Sequence, residues 1–428
     1  MKSPLRIGIA GLGTVGAGVI RIIRNNGDLI ARRAGRSVAI TAVSARSRRK
    51  DRGVDLSPYA WEDDPVALAR REDVDVLIEL IGGEDGPAKA AVAAALEAGK
   101  DVVTANKAML AVHGNELAAL AEAAGRALRF EAAVAGGIPV IKTLSEALAG
   151  NRIERVTGVM NGTCNYILTR MESEGRSYDE VFAEAKALGY LEADPRLDVG
   201  GIDAGHKLAL LAAIAFGTRV DFPSVVLEGI DRVSITDIEL ARDLGYRIKL
   251  LGVARMTGRG LEQRMQPCLV PADSPIGRVE GATNIVMIEG DAVGPIVLEG
   301  AGAGEGPTAS AVVGDIIDIA RGMRLPVFGQ PVETLKAARP ARVATPAPYY
   351  LRLLLEDRPG ALAKVAQALG EAGVSINRMR QYRHDTPAAP VLIVTHKAAE
   401  EAIHQALAAI REVDVNLDEP VALRIEEL

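Results

Sequence analysis

The chain opens with a short apolar run that leads directly into a turn built around three glycines. Residues 5–10 are typical of a buried strand, and the following Gly11-Leu-Gly-Thr-Val-Gly16 passes into a helical apolar pattern. Glycines at this spacing allow a tight bend, close backbone approach to a pyrophosphate and close helix–strand packing. A plain glycine-rich turn is the alternative, but the position after a first strand favours a dinucleotide site. The candidate cofactor-binding residues here are Gly11, Gly13, Thr14, Val15 and Gly16.

Strand-like and helical segments alternate through the N-terminal part of the chain. Alternation of this kind predicts a parallel sheet with right-handed crossovers. We therefore predict an α/β fold with a Rossmann-type doubly wound parallel sheet over residues 1–135, to which helices from about 306–340 return. The supporting segments are strands at Val38–Ser44, Val74–Ile81 and Asp101–Thr104 and a helix at Ala88–Ala98.

Beyond about Gly150 the pattern changes to longer helices interspersed with strands. It predicts a mixed α+β domain over residues 136–305 for substrate binding and oligomerisation. Residues 340–348 contain three prolines and small residues, which is typical of a linker. The segment after this linker follows a βαββαβ pattern, so we predict a separate compact domain over residues 349–428.

The composition argues against several classes of partner. The 428 residues carry a net charge of −6 and only 3% aromatics, which provides neither a basic nor a base-stacking surface for nucleic acid. The longest apolar segment, Leu208–Phe216, is too short to cross a bilayer. With only Cys164 and Cys268, no disulfide framework is available. We expect a cytoplasmic protein with no nucleic-acid or membrane partner.

A basic cluster follows the second predicted strand, where dinucleotide-binding folds often have an acidic residue for the ribose 2′-hydroxyl. Residues 44–50 contain arginines and a lysine but no acid. Cations at this point suit a 2′-phosphate, so Arg46 and Lys50 predict NADP, with NAD as the alternative cofactor. The competing interpretation is a solvated basic loop.

Two lysines are candidates for proton transfer. The sequence has no P-loop, no Tyr-x-x-x-Lys and no zinc-ligand spacing. Lys107 follows a strand at the carboxyl edge of the sheet, where doubly wound folds place their sites. Lys207 follows Asp203 by one helical turn, and an exposed pair of this kind would contribute only about 0.3–0.5 kcal/mol. The apolar segment after Lys207 instead predicts a buried helix, in which a lysine needs a function.

Longer motifs make the chain similar to homoserine dehydrogenases over nearly its whole length. They are Gly11-Leu-Gly-Thr-Val-Gly16, Thr104-Ala-Asn-Lys107, Glu131-Ala-Ala-Val-Ala-Gly-Gly-Ile-Pro139, Asn161-Gly-Thr-Cys-Asn-Tyr166, Gly189-Tyr-Leu-Glu-Ala-Asp-Pro195, Asp203-Ala-Gly-His-Lys207 and Gly302-Ala-Gly-Glu-Gly-Pro-Thr308. Asp357-Arg-Pro-Gly-Ala-Leu-Ala-Lys364, followed by Val374-Ser-Ile-Asn377, resembles an ACT domain, an amino-acid-sensing module. We expect a monofunctional member without an aspartate kinase portion.

The resemblance implies reversible reduction of L-aspartate 4-semialdehyde to L-homoserine with NAD(P). It makes Lys207 the proton donor in the reducing direction and puts Lys107 close to substrate and nicotinamide. The implied substrate-binding residues are Gly162, Thr163, Glu192, Asp198 and Asp203, and the further cofactor-binding residues are Thr104, Lys107, Gly189 and Gly306. The alternative interpretation of Asp198 is a carboxylate that stabilises a turn, and the sequence around Gly189 is also typical of a helix C-cap. Glu131, with the backbone carbonyls of Val134, Gly136 and Ile138, matches the family's sodium-binding loop. No catalytic thiol is implied at Cys164, and His206 is interpreted as a packing residue.

The ACT resemblance implies control by an end-product amino acid. We expect threonine to bind near Gly360 and Asn377, in a homodimer or homotetramer, and the ACT domain to be dispensable for catalysis. A structural oligomerisation domain without a ligand is the alternative. Two rival functions remain: reduction of another small amino-acid aldehyde or keto acid, and a catalytically silent sensor. The intact set of Lys107, Lys207, Glu192 and Asp203 argues against the second.

Overall fold

A computed structural model describes residues 3–191, 194–341, 343–382 and 388–427. Its N-terminal part is a parallel sheet of six strands in the order 3-2-1-4-5-6. The strands are β1 (Leu5–Ala10), β2 (Val38–Ser44), β3 (Ala60–Glu62), β4 (Val76–Glu79), β5 (Asp101–Thr104) and β6 (Leu128–Arg129). The helices are α1 (Thr14–Asn25), α2 (Gly27–Ala34), α3 (Pro65–Arg70), α4 (Pro87–Glu97) and α5 (Lys107–Ala123). The Rossmann-type prediction is confirmed, and the strand order reverses between β1 and β4, where such folds bind their ligands.

The middle part is built on antiparallel strands covered by helices. Its helices are α6 (Val140–Lys142), α7 (Gly162–Glu174), α8 (Tyr178–Ala187), α9 (Arg196–Val199), α10 (Ile202–Phe216), α11 (Ile235–Asp243) and α12 (Pro275–Arg278). Its strands are β7 (Ile153–Val159), β8 (Val226–Leu227), β9 (Tyr246–Thr257), β10 (Gly260–Pro271), β11 (Thr283–Gly290) and β12 (Gly294–Ala301). Helix α10 is buried from Asp203 to Ala213, as its apolar sequence predicts.

One long helix, α13 (Glu305–Arg321), returns to the N-terminal part. It packs against α1 so closely that a Cβ on Gly18 would lie 3.0 Å from the Cβ of Ala309. The sequence pattern predicted several returning helices over 306–340, but the structure has one α-helix there. Between α13 and residue 340, all of which the structure describes, there is only a 3₁₀ turn at Val332–Thr334, because Pro326 and Pro331 interrupt the segment.

The C-terminal part contains β13 (Tyr349–Glu356), α14 (Ala361–Glu371), β14 (Ile376–Gln381), β15 (Ala388–Thr395), α15 (Glu400–Arg411) and β16 (Val421–Ile425). This is the predicted βαββαβ order of an ACT domain. It is not separated from the rest by its linker, because β16 pairs in parallel with β10 and the two sheets continue into one. No helix in the described parts of the chain is long and apolar enough to cross a membrane.

Candidate active site

A cavity of about 570 Å³ lies between the glycine turn and the helices of the middle part. Nine predicted site residues line it: Val15, Lys107, Gly136, Gly162, Thr163, Gly189, Asp198, Asp203 and Lys207. A larger cavity of about 770 Å³, lined in part by Leu144, Phe216 and Phe328, contains none of the predicted residues. The smaller cavity is therefore the candidate active site.

The glycine turn has the close contacts that its spacing predicts. A Cβ on Gly11 would lie 2.3 Å from the carbonyl oxygen of Leu80, and one on Gly16 would lie 2.2 Å from that of Gly11. A Cβ on Gly13 would meet nothing within 4 Å, so the turn is open on that side. Two glycines are thus required by packing, and the third leaves space for a phosphate group to approach the backbone.

Asp203 bridges the two candidate lysines. Its Oδ1 lies 2.8 Å from Nζ of Lys107, and its Oδ2 lies 2.7 Å from Nζ of Lys207. Nζ of Lys207 also donates a hydrogen bond of 2.8 Å to the carbonyl of Met160. Lys207 is only 7% exposed, so its ammonium group is held in the cavity wall by a carboxylate and a carbonyl.

The charges around Asp203 keep it ionised although it is buried. Burial by itself raises the pKa of Asp203, but the ammonium groups of Lys207 and Lys107 outweigh burial and hold the pKa well below its usual range. Burial lowers the pKa of His206 to about 4, and its ring packs on Phe222 at 4.3 Å. His206 is thus neutral at pH 7, which fits the packing interpretation. Burial also raises the pKa of the Cys164 thiol, so it is not an activated nucleophile.

Asn161 is a site residue that the sequence analysis did not single out. It is the N-cap of α7, and its Oδ1 accepts a hydrogen bond from the backbone N–H of Cys164 at 2.8 Å. Its Nδ2 donates to Oδ1 of Asp198 at 3.0 Å. Asp198 is only 4% exposed, so this amide fixes its carboxylate at the cavity. An asparagine just before a helix is an N-cap signal that could have identified the residue.

A hydrogen-bond network behind Lys107 joins the ends of β4 and β5. Buried Glu79 accepts from the backbone N–H of Ile81 at 2.7 Å and from the Thr104 hydroxyl at 2.5 Å. Thr104 in turn accepts from the backbone N–H of Asn106, which is the N-cap of α5. Burial raises the pKa of Glu79 despite these bonds. The network orients the start of α5, where Lys107 lies. Within the network, the hydroxyl group of Thr104 is directed at Glu79.

The basic loop after β2 is attached to the glycine turn by a residue that was not predicted. Nε of Arg52 donates to the carbonyl of Leu12 at 2.9 Å, and its Nη atoms donate to the carbonyls of Ser47 and Lys50. Arg46 and Lys50 themselves are exposed. The arrangement holds two available positive charges beside the turn.

The remaining cofactor positions lie at helix ends. Gly189, with φ of +74°, follows α8, and the N–H of Tyr190 bonds to the carbonyl of Ala185 to close that helix. The C-cap interpretation of Gly189 therefore holds alongside its place in the cavity wall. Gly306 is the second residue of α13, and open space surrounds the position of a Cβ there. The Thr163 hydroxyl donates to the carbonyl of Tyr190 at 2.9 Å.

Glu131 is buried at the start of the loop that includes Val134, Gly136 and Ile138. Its two carboxylate oxygens accept hydrogen bonds of 2.9 Å from the backbone N–H groups of Ile141 and Lys142. Burial and the neighbouring Asp315 raise the pKa of Glu131 to about 7. No cluster of three or more metal-ligating side chains occurs in the described ranges, so backbone carbonyls would have to supply further ligands to a cation held by Glu131.

Two further predictions concern other parts of the chain. Gly360 is the N-cap of α14 with φ of +85°, and Asn377 lies exposed on β14, where its amide is 3.5 Å from Nδ1 of His396. Neither touches the cavity. Glu192 lies outside the described residues.

A doubly wound sheet with a glycine turn is typical of dinucleotide-binding enzymes, and a buried lysine pair beside it provides groups for proton exchange, which together indicate the class of nicotinamide-dependent dehydrogenases. Family models match the chain as "Homoserine dehydrogenase, NAD binding domain" at residues 11–131, "Homoserine dehydrogenase" at 139–317 and "ACT domain" at 349–415. A homoserine dehydrogenase of Neisseria gonorrhoeae is 45% identical, with 99% of each chain covered. The crystal structure of a homoserine dehydrogenase from Thiobacillus denitrificans is 41% identical, with a TM-score of 0.94 over 100% of this chain and 99% of that one.

The chain belongs to the homoserine dehydrogenase family. Its function is the NAD(P)-dependent interconversion of L-aspartate 4-semialdehyde and L-homoserine, and its C-terminal part is an ACT domain. A more distant solved structure, a hyperthermophilic archaeal homoserine dehydrogenase in complex with NADPH, is 28% identical with a TM-score of 0.65, and the match covers 75% of this chain and 99% of that one.

Proposed function

We propose that Lys207 exchanges the proton of the homoserine hydroxyl and that Asp203 holds Lys207 in place. The bound nicotinamide supplies or accepts the hydride at the carbon of the reacting carbonyl. In the reducing direction the carbonyl oxygen then needs a proton, and the Lys207 ammonium group at the cavity wall can donate it. The observation that carries this proposal is the bridge from Asp203 to both lysines. Lys107 bonds to the other oxygen of that carboxylate, and we propose that it acts close to the substrate and the nicotinamide.

Substrate binding is assigned to acidic residues of the same cavity. Asp198 and Asp203 carry the negative charge that complements the substrate ammonium group, and Glu192 joins them in this proposal. Gly162 and Thr163 complete the pocket at the start of α7. The support for this role is that both residues line the cavity; a Cβ on Gly162 would lie 2.5 Å from the carbonyl oxygen of Ala282, so packing requires glycine there.

The decisive experiment is Lys207→Ala. We expect kcat to fall by about 10²–10⁴ while dinucleotide binding, measured by calorimetry, stays unchanged. Lys249→Met is the matched control, because Lys249 is also buried but bonds to Asn165 and Val279 outside the cavity. It should lower stability without a comparable fall in kcat. A fall smaller than tenfold for Lys207→Ala would remove this lysine from the mechanism.

We also propose NADP as the preferred cofactor. Arg46 and Lys50 stand where a 2′-phosphate needs positive charge, and Arg52 supports their loop. The structure of the archaeal relative named above is a complex with NADPH. The glycine turn, Thr104, Lys107, Gly189 and Gly306 are the remaining proposed contacts, with Thr104 acting through Glu79 and Asn106.

A sodium ion at Glu131 is a further proposal. The carboxylate is 3% exposed and each of its oxygens uses one lone pair for a backbone N–H, which leaves others for a cation. Ala135 and Gly136 have φ of +55° and +52°, so the loop with the candidate carbonyls turns sharply. One carboxylate with carbonyls suits a hard monovalent ion.

We further propose that the chain divides into domains 1–135, 136–305 and 349–428. We also propose threonine as the effector, a homodimer or homotetramer as the assembly and the cytoplasm as the location. The first turn of α14, after Gly360, presents backbone N–H groups, although that of Ala361 bonds to the carbonyl of Arg358; a helix N-terminus suits a carboxylate. Strand β12 is at the edge of its sheet, with alternate residues exposed, and offers a surface for a second copy. Both cysteines are free, which suits a reducing compartment.

A further inference from the structure

The loop between β2 and β3 is long for a connection that forms no helix or strand of its own. It runs from residue 45 to residue 59, and the structure describes all of it. Connections that exceed about 12 residues without secondary structure are uncommon in compact domains and usually serve a function. This one carries the exposed cations Arg46 and Lys50. Their positions therefore depend on what holds the loop in place.

Arg52 fastens this loop to the glycine turn. Its guanidinium donates to three backbone carbonyls: Nε to that of Leu12 at 2.9 Å, Nη1 to that of Lys50 at 2.6 Å and Nη2 to that of Ser47 at 2.5 Å. A guanidinium holds its donors in one rigid plane, and hydrogen bonds from a charged donor are roughly twice as strong as neutral ones. The carbonyl oxygens, which would repel a phosphate, are thereby turned toward Arg52.

Trp61, on the edge strand β3, supports Arg52 from the sheet. The guanidinium carbon of Arg52 lies 5.8 Å from the centroid of the indole ring, and that of Arg48 lies 5.9 Å from it. Cations within about 6 Å of the centroid of an aromatic ring are attracted by its electrons. The indole N–H donates to Asp63 at 2.7 Å, which fixes the ring. The loop is thus attached both to the glycine turn and to the edge strand.

The two dinucleotides differ in their need for this loop. Both have a pyrophosphate for the glycine turn, but only NADP has a 2′-phosphate for cations after β2 to bind. Side chains on a loop that must first be ordered lose part of their binding free energy to that ordering. A loop that Arg52 already fastens avoids this loss, and the benefit falls on NADP alone.

We propose that Arg52 is a positioning residue that makes the protein prefer NADP, because it presents Arg46 and Lys50 to the 2′-phosphate. The inference rests on the proposed NADP preference and adds to it a residue that acts without contacting the phosphate. Three of the five guanidinium N–H groups of Arg52 already bond to carbonyls. The contribution of Arg52 therefore depends on the shape of its guanidinium group and not on charge alone.

The test compares Arg52→Met and Arg52→Lys by calorimetric titration with NADP⁺ and with NAD⁺. Arg52→Met should raise the dissociation constant of NADP⁺ at least about tenfold, the loss expected when a charged contact to the phosphate no longer forms, and leave that of NAD⁺ nearly unchanged. Arg52→Lys should lose nearly as much NADP⁺ affinity, because an ammonium group keeps the charge but not the planar set of donors. If Arg52→Met does not fold, Arg52→Gln takes its place.

Fluorescence of Trp61, the only tryptophan of the chain, reports the loop itself. In both variants its emission maximum should move to longer wavelength without any ligand, since release of the loop exposes the indole ring to water. An unchanged emission would mean that the loop has not moved and would overturn the inference.

Arg24→Met is the matched control. Arg24 also donates to a backbone carbonyl, that of Asp55, and its guanidinium carbon lies 5.3 Å from the centroid of the Tyr59 ring. Its hydrogen bonds go to these two residues and not to the carbonyls that Arg52 holds. This variant should keep the wild-type preference for NADP⁺.

Wild-type preference in Arg52→Lys would overturn the inference, and so would an equal loss of both dinucleotides in Arg52→Met. Either result leaves the NADP preference of the wild type standing. A wild type that binds NAD⁺ as tightly as NADP⁺ would instead contradict the proposed cofactor choice, and this inference with it.

Discussion

At the residue scale, charge on the loop after β2 is expected to select the cofactor. Arg46 and Lys50 are exposed, and Arg52 ties their loop to the glycine turn. We predict that Arg46→Ser with Lys50→Ser weakens NADP⁺ binding at least about tenfold and leaves NAD⁺ binding nearly unchanged. The reason is that each charged contact to the 2′-phosphate contributes about 1.5–3 kcal/mol. Titration with both dinucleotides measures the effect.

The control for this change is Arg32→Ser with Arg33→Ser. Both residues are exposed near the end of α2, so the net charge changes equally without touching the loop. This pair should bind both dinucleotides like the wild type. An equal loss of NADP⁺ and NAD⁺ in the Arg46 and Lys50 variant would mean that the cluster is only a solvated loop.

Glu131 permits a second test at this scale. If its carboxylate and the adjoining carbonyls bind Na⁺, sodium chloride should raise the melting temperature more than choline chloride at equal ionic strength, because a ligand of the folded state stabilises it. Glu131→Gln should abolish the difference, since the amide lacks the charge. Scanning calorimetry in the two salts measures it. Identical salt effects on the wild type would remove sodium from the proposal.

At the scale of elements, the loops that follow β4 and β5 depend on one buried carboxylate. In Glu79→Gln an NH₂ group takes the place of one carboxylate oxygen. That oxygen accepts a hydrogen bond from Ile81 or from Thr104, so the change leaves a buried donor without its acceptor. We predict a loss of about 1–3 kcal/mol in the free energy of unfolding. We also expect a fall in kcat, because Asn106 no longer fixes the start of α5. Urea unfolding and steady-state kinetics measure the two effects.

Glu62→Gln is the matched control for Glu79, because Glu62 also ends a strand of the parallel sheet. Its partner Arg71 is 27% exposed in its side chain, as is Glu62 itself. Partly exposed pairs of this kind contribute about 0–1 kcal/mol. If both glutamine variants lose the same stability and keep kcat, the Glu79 network does not position Lys107.

At the scale of the whole molecule, the ACT domain is joined to the catalytic part by buried charge. Arg264 of β10 bonds to Glu262 at 2.9 Å and to Glu426 beyond β16. Arg352 of β13 bonds to Asp237 of α11 at 2.6 Å. This junction changes the expectation that the ACT domain is dispensable, because removing it leaves Arg264 without Glu426.

We predict that truncation after Ala344 destabilises the catalytic part by several kcal/mol, because it removes the strand that pairs with β10 and opens to water apolar side chains such as Leu269, whose full burial is worth about 1.5–3 kcal/mol each. Thermal unfolding and homoserine oxidation of the truncated and full chains measure this. Wild-type stability and activity in the truncated chain would show that the junction is not required. Threonine control is therefore better tested by calorimetry on the full chain, where Asn377→Ala should weaken binding.

The sequence by itself determined the parallel sheet, the ACT pattern and the pairing of Asp203 with Lys207. Each of these features depends on local periodicity or on a motif of a few residues. In the glycine turn, for example, Gly16 is required for contact within its own strand–helix unit, and Gly11 is required for contact with the end of the adjoining strand. Lys207 and Asp203 are one helical turn apart, so their pairing also follows from local geometry.

Only the tertiary structure decided which polar residues are buried. Strand β10 was not predicted, because Glu262, Arg264 and Gln266 suggest a surface, yet all are less than 8% exposed once β16 and its flanking residues cover them. Lys107 meets Asp203 although the two residues lie 96 positions apart in the sequence, and Asn284 lines the cavity beside Gly302. Such contacts depend on how distant segments pack, which no local pattern contains.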